Sequence, residues 1–498
     1  MADSMIRFPT LGSAARDARL LAIDDTALPF RKNLSLHLTR PTVRPDAVLT
    51  PSRDNPRAPD HLSAHFYGTV LHEGGRFRVW YYSVSHGEAP GQLQQGPMCY
   101  AESDDGIHWT KPNLGQVEFR GSRENNAIAL PDQLTEGVTL IRDDDDPDPA
   151  RRYKLLINCK YPPKSWSVRP CVSADGLHWT TSPQVAIDDF VEQASFFKHG
   201  GLYLVHAKSI SPYIWGEGGS RRGRTGMVWA SPDFDTWVQA PAEAFALTEP
   251  QAAEARGPRQ PYDQVHLGVG AASFGNVCVG LYGLWHNREY FHDISCDLGL
   301  VVSHDGVHFR EPVRGHAFIR SQDSSAPPLD GQTFPTVLCQ SNGILNVGDE
   351  TRIYHGRWRN ARYGDDYYAE TALATLPRDR WGALALYDDA PSGVVWSAPI
   401  ELPAGDTQVR LNAEGAAGIR VHLADESFHA LPSFSGEQAG VPQAEAGLDC
   451  AVTWPSGSLA PLAGQRVRLQ VTLERGAGRD PRLYAVYLED DRADRGRA

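Results

Sequence analysis

Apolar positions in this chain come in short runs, three to six residues long, separated by polar turns, and no helical period of 3.6 persists. The first clear group is Tyr67–Leu71, Phe77–Tyr82 and Met98–Glu102. It closes on a tight turn, Ser103-Asp-Asp-Gly-Ile-His-Trp109. That closure recurs as Ser173-Ala-Asp-Gly-Leu-His-Trp179 and Ser303-His-Asp-Gly-Val-His-Phe309, and in degenerate form as Ser231-Pro-Asp-Phe-Asp-Thr-Trp237 and Thr375-Leu-Pro-Arg-Asp-Arg-Trp381. The closing aromatics stand 70, 58, 72 and 72 residues apart. Asp-Gly suits a tight turn because Gly accepts a positive φ and Asp tolerates one. A near-regular period of this length marks an internal repeat.

Each repeat follows one grammar. An apolar first strand (Tyr67–Leu71, then Val138–Ile141, Ala194–Phe197, His266–Val269 and Ile344–Val347) is followed by an aromatic second strand, a third, and a short fourth after the turn. Four strands in each of five units predict an all-β chain: a five-bladed β-propeller over 61–386. Residues 1–60 read as an irregular wrapping arm, with one strand near Leu20–Asp24 and prolines at 41, 45, 51, 56 and 59. Beyond 387 the turn motif is lost and runs such as Val467–Thr472 and Leu483–Tyr487 alternate with a period of two, predicting a C-terminal β-sandwich over 387–498. The short connection Asp388–Ser392 argues for a docked, structural sandwich rather than an independent sugar-binding module.

Composition narrows the function. The 498 residues carry a formal net charge of -13, which argues against nucleic acid as a partner. No run of 18 apolar residues suggests a membrane span, and the N-terminal residues lack the apolar core of a signal peptide, so a cytoplasmic location is expected. Seven cysteines without a CxxC pair read as buried free thiols, and no cofactor or metal is expected. Asp143-Asp-Asp-Asp146 falls in a turn and reads as a solvated turn rather than a calcium site.

In a propeller the first strands line the axis, so residues at their starts converge on one mouth. Glu136, Glu192, Asp263 and Asp330 precede or open units two to five, and unit one offers His65 with Asp60 five residues earlier. Acidic residues before strands are often caps, and it is the equivalence of position that favours function, most clearly for Glu192. Converging carboxylates suit paired-carboxylate chemistry. Lys160, Trp166, His206, Lys208, Trp215, His266, His286, Arg357 and Trp358 complete a polar and aromatic rim fit for a small carbohydrate.

Tyr67-Gly-Thr-Val70, Phe77-Arg-Val-Trp-Tyr-Tyr82, the Asp-Gly-x-His-Trp turns and Gly348-Asp-Glu-Thr-Arg-Ile-Tyr354 resemble the five-bladed propeller glycoside hydrolases of the furanosidase superfamily (families 32, 43, 68 and 130). The resemblance spans about residues 20–490 and is strongest to bacterial family 32-like proteins. It implies an acid in blade three, matched by Glu192, and a stabilising acid in blade two, matched by Glu136. It also implies a blade-one nucleophile, where this chain carries His65 in place of Asp; Asp60 or Asp263 is left to take that role. A glycoside hydrolase or transglycosylase, with furanosides among its substrates, is the activity implied. A non-catalytic sugar-binding propeller and an inverting phosphorylase are the alternatives.

Overall fold

The computed structural model describes residues 5–130, 137–161, 164–208, 224–247, 263–286, 295–331, 336–359, 366–476 and 478–490, without the side chains of 159–161, 164–166 and 263. Among them the fold is all-β, with no α-helix. Two sheets have four strands, one has twelve and two have seven.

One four-stranded sheet runs Leu140–Arg142, Tyr153–Tyr161, Lys164–Ser173, Thr180–Thr181; the other runs Gln193–His199, Leu202–Lys208, Gly226–Ser231, Ala242–Phe245. The twelve-stranded sheet divides into three antiparallel groups built on Ser63–Glu73, on Asp263–Ser273, and on Thr336–Cys339 with Ile344–Val347. Short parallel pairings, Cys296 with Val337 and Ala369 with Ser63, link these groups into one sheet. The arrangement is consistent with a β-propeller-like fold.

The repeated turn does more than reverse the chain. In each Asp-Gly copy an Asp carboxylate caps the turn, as Asp105 accepts from the backbone N–H of Ile107 and His108 at 2.8 Å. The carbonyl of the buried Gly then accepts from a ring of the preceding group. Trp80 donates to Gly176 O at 2.8 Å, His206 to Gly306 O at 2.8 Å, and Tyr354 to Gly106 O at 2.9 Å. The last of these ties the final repeat to the first. Phe66, Val79, Ala101 and Leu373 fill the same seam.

The first forty residues depart from the expected irregular arm. Ile6–Phe8, Ser13–Ala15 and Phe30–Lys32 join one seven-stranded sheet, and Asp17–Leu21 and Leu34–Leu38 join the other. Gly382–Leu386 also pairs here, between Arg482–Asp490 and Leu34–Leu38. One core, including Leu20, Leu34, Leu384, Val395, Leu411, Val421 and Val471, lies between these sheets. Strands of three to five residues are too short to display a two-residue period, which is why they read as coil.

A candidate active site where the first strands meet

The first strands of all five groups are hydrogen-bonded to one another at their centres. Val138 N–H donates to Tyr67 O at 2.7 Å, and Leu140 N–H to Thr69 Oγ1 at 2.9 Å. Ser195 Oγ donates to Val269 O at 2.7 Å. Gln340 Nε2 donates to His266 O and Gly268 O, both at 2.8 Å. Asn342 binds Phe196 N–H, Phe196 O and Leu140 O within 3.0 Å. These contacts require the strands to leave regular pairing, and register shifts occur between His65 and Thr69, Gln193 and Ser195, and His266 and Val269. Gly68 occupies the first shift because a Cβ there would collide with the Trp80 carbonyl oxygen.

Next to this junction lies a group of polar and aromatic side chains. Glu192, just before Gln193, forms an ion pair with Lys208, their side chains 11% and 17% exposed. Across the junction the His65 ring lies 4.2 Å from Tyr67 and 6.0 Å from both Tyr82 and Trp358. His65 Nε2 is 3.9 Å from Cys339 Sγ. His266 packs 4.4 Å from Trp285, over which the Arg224 guanidinium sits at 4.8 Å.

Burial sets the charge states. It holds His65 down to about 3, so this ring is neutral. His266 is pushed well below its ordinary value by burial first, and then by the positive charge of Arg224 and Lys208. The Cys339 thiol is raised by burial, with Glu192 adding to the effect, so it is no nucleophile. The group therefore offers one ion-paired carboxylate, two cations, two neutral imidazoles and aromatic walls. Such a set binds hydroxyls and can pass a proton.

No family model matches the chain. A stretch of 145 residues is 28% identical to an uncharacterised protein of Mycobacterium tuberculosis, covering 27% of this chain and 43% of that one. The chain thus spans less than half the length of the curated relatives it matches. Solved structures of similar shape include a glycosyl hydrolase from Bacteroides ovatus (14% identity, TM-score 0.44, 70% of this chain and 95% of that one). Others are a family 43 arabinoxylan arabinofuranohydrolase from Bacillus subtilis (11%, 0.39, 89% and 99%) and a β-1,2-mannobiose phosphorylase from Listeria innocua (11%, 0.37, 66% and 96%).

The candidate residues separate into groups. Glu192, Lys208, His65, His266 and Trp358 come together as described. His286 lies at the end of its strand with Nε2 2.9 Å from Asp297 Oδ2. His206 is instead in a seam, stacked 5.4 Å from Phe197 and donating to Gly306 O. Arg357 is buried and donates to Ser324, Glu370 and the carbonyls of Arg44 and Pro45, which ties the N-terminal segment to the last repeat. Asp330 is exposed in a turn with φ of 50°. Asp60 is buried, and its Oδ2 accepts from Tyr81 OH at 2.8 Å and Lys111 Nζ at 2.5 Å. Glu136 and Trp215, and the side chains of Lys160, Trp166 and Asp263, lie outside the described residues.

The Asp143–Asp146 turn is solvated at Asp144 and Asp145, as expected, but not at its two ends. Asp143 is buried and receives Tyr203 OH and Lys198, with Lys154 at 3.2 Å, while Asp146 binds Lys154 at 2.7 Å. These partners outweigh its burial and hold Asp143 at about 2. Tyr67, Tyr82, Arg224, Trp285 and Cys339 escaped sequence reasoning as site residues. The first two were visible only as parts of strands, and nothing around Arg224 signals a site.

Proposed function

We propose that the chain is a five-bladed β-propeller glycosidase with a β-sandwich, acting on a small carbohydrate, furanosides among its candidates. The strand pairing suggests dividing it as a propeller over about 42–381 and a sandwich formed by the first forty residues with 382–490. The observation that carries the functional reading is Glu192, paired with Lys208 beside the meeting point of the first strands, where the His65 and Trp358 rings also lie 6.0 Å apart.

In this reading Lys208 passes one ammonium proton to the paired Glu192 carboxylate as substrate displaces water, and the resulting carboxyl group delivers it to the leaving oxygen as the glycosidic C–O bond breaks; solvent then returns a proton to Lys208. Water adds to the sugar carbon and gives its proton to a second carboxylate, which makes the net reaction hydrolysis. Glu136 is the first choice for that partner. It directly precedes Gly137, where an added Cβ would lie 3.4 Å from the backbone N of Gln193, the residue after Glu192. Asp263 is the second choice. Asp60 is the third, since Lys111 and Tyr81 already occupy it. That single displacement by water inverts the anomeric carbon; the resemblance to family 32 instead favours retention, in which the second carboxylate first bonds to the sugar carbon and water then displaces it, giving its proton to Glu192, while His65 in the blade-one position favours a carboxylate from another blade. Lys208 and Arg224 also suit an anion, so phosphate in place of water is the second reading.

Glu192→Gln tests the proposal on a panel of aryl and natural glycosides. Activity on natural leaving groups is expected to fall about 100-fold or more, the usual contribution of a general acid, with an unchanged fold. Turnover equal to that of the wild type removes Glu192 from the mechanism. Strict dependence on added phosphate selects phosphorolysis.

A further inference from the structure

The sandwich sheet built on Arg466–Glu474 has one face in the core and one outside. Val395, Val471 and Val421 point into the core, so their neighbours Trp396, Gln470 and His422 point out. Register places Phe30 opposite Trp396, Trp396 opposite Gln470, and Gln470 opposite His422. Four adjacent strands thus present a single row, about 14 Å long at the usual strand spacing. Lys32 and Arg420 lie in the next row, opposite Val394 and Thr472.

Phe428 sits above one end of this row. Its ring lies 5.4 Å from Phe30 and 5.3 Å from Trp396, roughly perpendicular to both. The Arg468 guanidinium stacks at 4.1 Å and is held by Glu426 O and Ser397 O, both at 2.9 Å. Among the described residues Phe30 (51%) and Phe428 (42%) are the only exposed phenylalanines. Phe428 also has φ of 71°, a conformation costly for a bulky side chain. Asp425 forces it by binding the backbone N–H of both Ser427 and His429 at 2.9 Å. A glycine would satisfy this turn at lower cost, so local folding does not account for the ring.

We propose that this face is a second carbohydrate site, binding a neutral oligosaccharide along the Phe30–Trp396–Gln470–His422 row. Exposed ring faces take the apolar faces of sugars, and the Gln470 amide and Arg468 Nη2 serve hydroxyls, while His422, engaged by Gly436 N–H and Thr472 Oγ1 at 3.3 Å, closes the end of the row. The row itself contains no carboxylate and no cation, which favours an uncharged ligand. The ligand class rests on the glycosidase reading, while the geometry does not. The sandwich would thereby hold substrate as well as complete the fold.

The test is affinity electrophoresis of the intact chain, in the Glu192→Gln background to prevent turnover, through gels containing a fructan, an arabinan, a mannan or a β-glucan. Retardation is expected in at least one gel and should weaken about ten-fold in Phe428→Gly and in Phe30→Ser, the loss of one ring contact each. Phe428→Gly should keep or raise the melting temperature and leave hydrolysis of a small aryl glycoside unchanged in the otherwise wild-type chain. No retardation in any gel, or equal retardation of the variants, overturns the site. A wild-type dimer that Phe428→Gly dissociates in light scattering also overturns it, because the patch would then be a self-association surface. Loss of retardation leaves the Glu192 reading standing, and failure of that reading leaves a retarded chain.

Discussion

Lys111→Met separates a structural Asp60 from a catalytic one. Asp60 is fully buried, and its Oδ2 is shared by Tyr81 OH and Lys111 Nζ. Its Oδ1 is buried with no partner. Asn126 Nδ2 donates to the same Tyr81 oxygen at 2.8 Å, and Lys111 also binds Thr50 O and Ser52 Oγ at 2.7 and 3.0 Å. The pair thus fastens the N-terminal segment to the first repeat. Removing one partner of a buried ion pair costs about 3–5 kcal/mol, because the remaining charge is stranded. The Lys111 side chain is 23% exposed, so water can reach part of the gap and the lower figure, about 3 kcal/mol, applies. That is a change of about 150-fold in the ratio of folded to unfolded protein. The assay is urea unfolding followed by intrinsic fluorescence, with turnover on the glycoside panel of the proposed activity measured on the folded fraction. Lys111→Met should lower the midpoint clearly, and Asp60→Asn added to it should restore part of the loss by removing the stranded charge. Activity per folded molecule should stay within about two-fold, as expected of a residue outside the chemistry. An unchanged midpoint with lost activity would refute the argument and return Asp60 to the mechanism.

Two further outcomes follow from the core. His65, His206 and His355 are fully buried and held at about 3, about 4 and about 3, against an ordinary value of 6.5. The unfolded chain takes up these protons below 6.5 while the folded chain does not, so stability falls with pH from about 6 to 4, by up to about 4 kcal/mol per pH unit for the three together. Melting temperatures that do not change between pH 7 and 5 would contradict this. Deleting residues 1–38 removes strands from both sandwich sheets and should give insoluble protein, as should deleting residues 390–498. A soluble, fully active truncated chain would show that these strands are dispensable.

The sequence by itself determined the all-β class, the repeated unit and its closing turn. Those features are local: Asp-Gly geometry and short apolar runs depend on neighbours in the chain, and the turns cap themselves as Asp105 and Asp175 do. It also singled out Glu192, because position relative to a first strand is readable from a repeat. Only the tertiary structure decided what the turns join, since Tyr354 meets Gly106 from nearly 250 residues away. The same holds for the N-terminal strands, whose pairing partners lie near the other end of the chain. Candidates of like chemistry were sorted only by long-range contacts. His206 and Arg357 are taken up by packing, while Tyr67, Arg224 and Trp285 are brought beside Glu192, His65 and His266. The physical reason is that a side chain's role depends on which distant backbone or charge satisfies it when buried, and residue type and spacing do not encode that partner.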